Sequence, residues 1–214
     1  MYLDKIPKDL HFIWVGLKPI HEKYIETLKK LAIICARDGF ELNIWVDQNS
    51  ANTNNDAFQS IESLKVRTVE SLLKDILNEN GSPYSPEEKL LICKTIAFEL
   101  LPPANPAAAA DFLRIEIIRL HGGTYLDTDI NMPGILDSGV GALSRALNLE
   151  DFSALFGVGI QGSNNHFISA APQHSIITEC MKTMLEKTNK PYYRAKQLYD
   201  EQYRIYENLP KYTT

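Results

Sequence analysis

From position 105 to position 129 the chain reads NPAAAADFLRIEIIRLHGGTYLDTD, and few folds accept such a run. Asn105 is a good helix N-cap and Pro106 a good first helical residue, while His121-Gly122-Gly123 supplies a stop, so the pattern predicts a helix to about Leu120. Thr124, Tyr125 and Leu126 then read as a short strand. If extended backbone continues through Asp127 and Asp129, both carboxylates point to one side, roughly 7 Å apart. The expectation is a helix feeding directly into a strand that ends in two aspartates.

The rest of the chain supports an α/β fold. Residues 10–15 form an apolar run closed by Gly16 and Pro19, which predicts a buried strand. Tyr24, Ile25, Leu28, Leu31, Ala32 and Cys35 then fall at helical spacing up to Asp38-Gly39, and Leu42, Ile44 and Val46 alternate as in a second strand. A strand-helix-strand start of this kind opens nucleotide-binding α/β folds. Residues 47–60, rich in Asn, Ser and Gln, read as a polar loop. Helices are expected over 69–78 and 86–101, strands over 152–158 and 166–170, and two final helices over 175–187 and 193–207. In the last of these, Tyr192, Tyr193, Tyr199, Tyr203 and Tyr206 read as a packing face more than a sugar-binding platform.

With 214 residues and 44% hydrophobic content, residues 1–214 are expected to form one domain. The 22 basic and 27 acidic side chains leave a net charge of −5, which argues against nucleic acid as partner. Cys35, Cys93 and Cys180 are odd in number and widely spaced, as in a chain from a reducing compartment. No run approaches the ~18 apolar residues of a membrane span, and the first residues lack signal-peptide character. The chain therefore reads as soluble. His11, His121, His166 and His174 show no metal-ligand spacing and receive no role beyond packing or surface.

Asp127 and Asp129 offer oxygen ligands only, a choice that selects hard ions such as Mn²⁺ or Mg²⁺. An ion held there can bridge a substrate diphosphate and neutralise the charge of a departing nucleotide. A pair of aspartates is a weak signal by itself, and its context supplies the weight. Residues 106–131 resemble the A-A-S-D-x-x-R … G-G-x-Y-x-D-x-D signature of the DxD glycosyltransferases, especially the large clostridial glucosylating toxins and related bacterial effectors. Leu10-His11-Phe12-Ile13-Trp14-Val15-Gly16 resembles the strand whose tryptophan stacks on the donor uracil in those toxins. Ile44-Trp45-Val46-Asp47-Gln48-Asn49 is more loosely similar to their second strand and the asparagine beyond it.

The resemblance implies a GT-A glycosyltransferase fold, with a Rossmann-like nucleotide-binding core, a mixed sheet and added helices. It implies a UDP-sugar donor, and a catalytic set of Asp127, Asp129, Arg114 and Asp111. Asp129 would be a direct metal ligand, and Asp127 a partner of the metal shell and the ribose. Tyr125 would lie beside ribose and sugar, Asp111 would accept from sugar hydroxyls, and Arg114 would reach sugar and diphosphate. Trp14 would stack on the base, with Asn49 and Asn165 in the donor pocket.

It further implies retaining transfer of glucose or N-acetylglucosamine onto a hydroxyl. The acceptor would be a host protein such as a small GTPase, reached by a toxin or effector in the host cytosol, or else a glycan or lipid. Two departures stand out: Ala110 occupies a position held by serine in the toxins, and the toxins carry a closing lid beyond the point matching Thr214. The second leaves open a non-catalytic nucleotide-sugar-binding module, which turnover would separate from an enzyme. A haloacid-dehalogenase-like phosphatase also carries D-x-D on a strand, but that family wants Thr or Val where Asn131 stands, and its motif lies near the start of the chain.

Overall fold

The computed structural model describes residues 5–102, 104–129, 140–147, 154–159 and 162–188, with the backbone alone for 155–159, 162–165 and 188. The expected helix over 193–207 and its tyrosines lie outside the described residues. Six strands and seven helices follow in the order β1 (Asp9–Ile13), α1 (Glu22–Asp38), β2 (Glu41–Val46), α2 (Gln48–Gln59), β3 (Leu64–Thr68), α3 (Val69–Asn78), α4 (Pro86–Leu100), α5 (Pro106–His121), β4 (Gly123–Leu126), α6 (Ala142–Leu147), β5 (Ala154–Gly159), β6 (Gly162–Ala170) and α7 (Ser175–Thr188). The sheet runs β3-β2-β1-β4-β6-β5. The first four strands are parallel, and β6 is antiparallel to both β4 and β5. This is the mixed α/β sheet that the sequence predicts.

Alternation along the central strands sends side chains to two faces. Leu10 and Phe12 of β1, the Leu42, Ile44 and Val46 series of β2, and Leu126 pack with Leu28, Leu31 and Cys35 of α1, Phe58 of α2 and Leu143 of α6. Ile13, Trp45 and Tyr125 face the other way, against Leu72 of α3, Ile92 and Ile96 of α4, Leu113 and Ile117 of α5 and Met181 of α7. Helices thus cover both faces, as a largely parallel sheet requires. Helix α5 is buried on every side from Phe112 to Arg119, so its charged residues must find partners inside the protein.

Three elements differ from expectation, α6 being one that the sequence reading did not contain. The polar stretch after β2 is helix α2, not a loop: the Asp47 side chain caps it through the Ser50 N–H at 3.0 Å, and its inner face carries Ser50, Asn54 and Phe58. Asn54 belongs there because its Oδ1 accepts from the Ile20 N–H at 2.6 Å and its Nδ2 donates to the Ser50 carbonyl at 2.9 Å. Strand β3 has no counterpart in the sequence expectation. Its LKVRT alternates apolar with charged residues, but the strand is only five residues long and lies at the sheet edge, where Val66 is exposed and Arg67 and Lys65 pair with Glu41.

The double glycine before β4 follows from crowding. Gly123 has φ +86°, and a Cβ there would lie 2.5 Å from the Asp9 carbonyl oxygen, so β4 can approach β1 only without a side chain at that point. Asp38 does more than end α1: its carboxylate accepts the Gly141 and Leu143 N–H groups at 3.0 and 3.1 Å, fastening α6 to the sheet's first helix.

Buried His11 makes stability depend on pH. Its Nδ1 accepts from the Trp45 indole at 3.3 Å and its Nε2 lies 3.1 Å from the Gly122 carbonyl, so the neutral ring with its proton on Nε2 satisfies both contacts. Burial, helped by nearby His121, pushes its pKa down to about 3. The unfolded chain, with a histidine pKa of about 6.5, therefore binds a proton that the folded chain refuses. This stability is fully present above pH ~6.5 and falls by up to ~1.4 kcal/mol per pH unit as the pH drops towards 3. Urea unfolding at pH 7.5 and pH 5.0 should show a loss of about 2 kcal/mol at the lower pH, reduced in His11→Gln; equal slopes in the two proteins would refute the assignment.

Candidate active site

In chain order the sheet grows outward from β1 to β2 and β3, and then returns to the other side of β1 with β4. The crevice at the carboxyl ends of β1 and β4 is thus a topological switch point, where open α/β sheets bind ligands. Trp14 to Gly16 leave β1 at this edge, and Asp127 to Asp129 leave β4 beside them. Gly16 joins the two sides. At φ +97° its N–H donates to Asp47 Oδ1 at 3.1 Å, and a Cβ there would lie 2.8 Å from Pro106 Cγ, so the loop after β1 rests on the first turn of α5. That helix carries Asp111 and Arg114 towards the same crevice.

Arg114 organises the cluster. Its Nη1 contacts Asp127 Oδ1 at 3.2 Å, its Nη2 contacts Asp111 Oδ1 at 3.1 Å, and its Nε donates to the Ala110 carbonyl at 3.1 Å. The guanidinium also sits 4.8 Å from the Tyr125 ring centre. With 8% of its side chain exposed, Arg114 is no surface i, i+3 partner of Asp111 but a buried cation shared by two carboxylates. Tyr125 is buried, and its hydroxyl donates to Asp127 Oδ1. Burial holds the phenol well above its usual pKa, so it stays a donor.

The strand stops at Leu126, and Thr128 and Asp129 turn away from the extended path. The two aspartates consequently differ in surroundings. Asp127 is half-buried and held by neighbours, whereas Asp129 is exposed, with no ion pair among the described residues. Asp127 also meets a partner that sequence reasoning passed over: His166 Nδ1 on β6 contacts Asp127 Oδ2. The antiparallel register explains this, since Leu126 pairs with Phe167 and the Asp127 N–H donates to the His166 carbonyl at 3.0 Å. Spacing along the chain carried no signal of it, because the two residues lie 39 positions apart.

Among the other sequence-derived candidates, Trp14 is half-buried at the end of β1, its Nε1 donating to the Lys18 carbonyl at 3.0 Å and its ring 5.9 Å from that of Tyr24. It packs on the α1 side of the sheet, at the end of the strand that pairs with β4. Asn49 is exposed on the first turn of α2, at the carboxyl end of β2. Asn165 lies on β6 next to His166, and its side chain is outside the described residues.

A hard divalent cation fits the donor chemistry of this edge. No group of three or more His, Cys, Asp or Glu side chains is placed to hold a metal among the described residues. Mg²⁺-type ions need no such group, since one or two carboxylates plus substrate phosphates and water suffice. Asp129 offers an exposed carboxylate. Asp127 has both lone pairs of Oδ1 engaged by Arg114 and Tyr125, and one on Oδ2 engaged by His166, which leaves one acceptor position.

Comparison with known proteins agrees with this architecture. Residues 8–96 match the model of the TcdA/TcdB catalytic glycosyltransferase domain. A stretch of 130 residues, 59% of this chain, is 33% identical to subversion of eukaryotic traffic protein A of Legionella pneumophila, of which it spans 17%. The PaToxG glycosyltransferase superposes with a TM-score of 0.59 at 17% identity, over 88% of this chain and 63% of that one. The UDP-bound glycosyltransferase domain of the YGT toxin gives 0.53 at 12% identity, over 85% and 62%. The fold is the GT-A fold of toxin glycosyltransferases. Over residues 8–96 the chain resembles the TcdA/TcdB catalytic glycosyltransferase domain, and it spans less than two thirds of each of these relatives.

Proposed function

We propose that this domain transfers glucose or N-acetylglucosamine from a UDP-sugar to a hydroxyl of a protein acceptor, with retention of configuration. The observation that supports this best is the Asp111–Arg114–Asp127–Tyr125 cluster at the switch point, with exposed Asp129 beside it and Trp14 on the adjoining strand end. A hard cation on Asp129, with Asp127 in its outer shell, would neutralise the charge of the leaving diphosphate. Asp111 is the more exposed of the two carboxylates on Arg114, at 45% against 20%, and is available to sugar hydroxyls. Arg114 aligns the pair of carboxylates and places a positive charge beneath the donor. Trp14 presents the ring on which a uracil would stack.

The UDP-bound YGT toxin domain supports a uridine donor, and the Legionella relative, named for subversion of eukaryotic traffic, supports a eukaryotic protein such as a small GTPase as acceptor. A bacterial toxin or effector acting in the host cytosol follows as the setting. Among the described residues no helix is long and apolar enough to cross a membrane. A glycan or lipid acceptor remains the second reading, on the ground that other DxD transferases use them.

Calorimetric titration with uridine diphosphate and with adenosine diphosphate, each with and without Mn²⁺, tests the donor site. Binding of the uridine ligand alone, and only with metal, is the expected result; equal binding of both nucleotides, or metal-independent binding, would overturn it. Release of UDP from UDP-glucose or UDP-N-acetylglucosamine then distinguishes an enzyme from a binding module.

A further inference from the structure

We propose that His166 is a positioning residue for the donor site, fixing the one open acceptor position of Asp127. The proposal rests on the donor-site reading above and assigns a role to a side chain that neither motif contains. Three donors meet Asp127: Arg114 Nη1 and the Tyr125 hydroxyl on Oδ1, and His166 Nδ1 on Oδ2. A carboxylate can only accept, so the proton of this contact resides on His166 Nδ1. Two donors on Oδ1 set the orientation of the carboxylate about its Cβ–Cγ bond. The third donor, on Oδ2, stiffens that orientation by engaging the second oxygen and leaves one Oδ2 lone pair open.

His166 suits the task because its backbone is locked to the same residue. The Asp127 N–H donates to the His166 carbonyl at 3.0 Å, so strand pairing sets the height of the ring against the carboxylate. The imidazole is 58% exposed, whereas Arg114 and Tyr125 are buried. Asp127 is thus gripped between the core and the rim. A carboxylate held in this way presents a preformed acceptor to a ribose hydroxyl or a metal-bound water, with no reorientation needed on binding.

The test compares His166→Ala, His166→Asn and His166→Gln. Asparagine places an N–H donor about as far from the backbone as Nδ1, and glutamine places it one bond further. Calorimetry of UDP with Mn²⁺ should show His166→Ala weakened roughly 10-fold or more, the scale of losing a supporting partner in a metal site. His166→Asn should recover most of this and His166→Gln little, with the thermal midpoints of all three within a degree or two of the parent. Wild-type affinity in His166→Ala, or equal affinity in the asparagine and glutamine variants, would overturn the positioning role. Failure of the parent protein itself to bind UDP with metal would instead overturn the donor-site reading on which the proposal rests.

Discussion

Asp129→Ala is expected to abolish metal-dependent UDP binding while leaving the fold intact. Asp129 is exposed and outside the ion pairs among the described residues, so its removal should change stability by no more than about 0.5 kcal/mol. Its proposed contribution to binding is much larger. Without it the ion would keep only the outer-shell support of Asp127, and affinity for UDP in the presence of Mn²⁺ should fall at least ~100-fold, beyond the loss typical of a second-layer partner. Asp127→Asn separates the two aspartates. It removes a charge from a side chain engaged by Arg114 and His166, so it should lower both the thermal midpoint and UDP affinity. Metal dependence unchanged in Asp129→Ala would refute the proposed ligand, and a loss of folding in that variant would refute its solvent-facing description.

Arg119→Met is expected to be the most destabilising change outside the site. Arg119 is fully buried in α5, with Nη1 at 2.8 Å from Glu79 and 3.2 Å from Gln173, Nη2 at 2.9 Å from Glu116, and the guanidinium 4.7 Å from the Tyr84 ring centre. Glu116 is equally buried and, among the described residues, otherwise accepts only the Tyr84 hydroxyl, at 2.9 Å. Methionine keeps the bulk but strands the Glu116 carboxylate, and breaking a buried pair from one side costs about 3–5 kcal/mol. Arg119→Met combined with Glu116→Gln should recover a large part, because the orphaned charge is gone. Urea unfolding reads both; a loss below about 1 kcal/mol in the single variant would show that the network contributes little.

Much of the fold is legible in the sequence wherever the signal is local. Helix α5 runs from Pro106 to one residue beyond its expected end, α3 over the expected span, and β2 with its alternating Leu42, Ile44 and Val46 on one face. Helix α2 was hidden because its inner face uses Ser50 and Asn54, residue types that mark loops unless a tertiary partner such as the Ile20 N–H engages them. Strand β3 was hidden because it is a five-residue edge strand with only Leu64 and Val66 apolar, and it runs straight into α3 without a break. The site was legible to a similar degree. Asp111, Arg114, Tyr125 and Asp127 do converge, whereas His166 enters from a neighbouring strand 39 positions further along the chain.

The sequence by itself determined the cap, the double-glycine stop and the strand that ends at the aspartates, because these depend on the sterics and hydrogen bonding of residues adjacent along the chain. Only the tertiary structure decided that the two aspartates are unlike. β4 ends at Leu126, so the extended geometry that would pair them breaks off before Thr128. Asp127 is then gripped by partners 13 and 39 residues away on α5 and β6, while Asp129 turns to solvent. Such contacts are set by strand order and register, and these follow from which faces the whole chain buries, not from the spacing within any one segment.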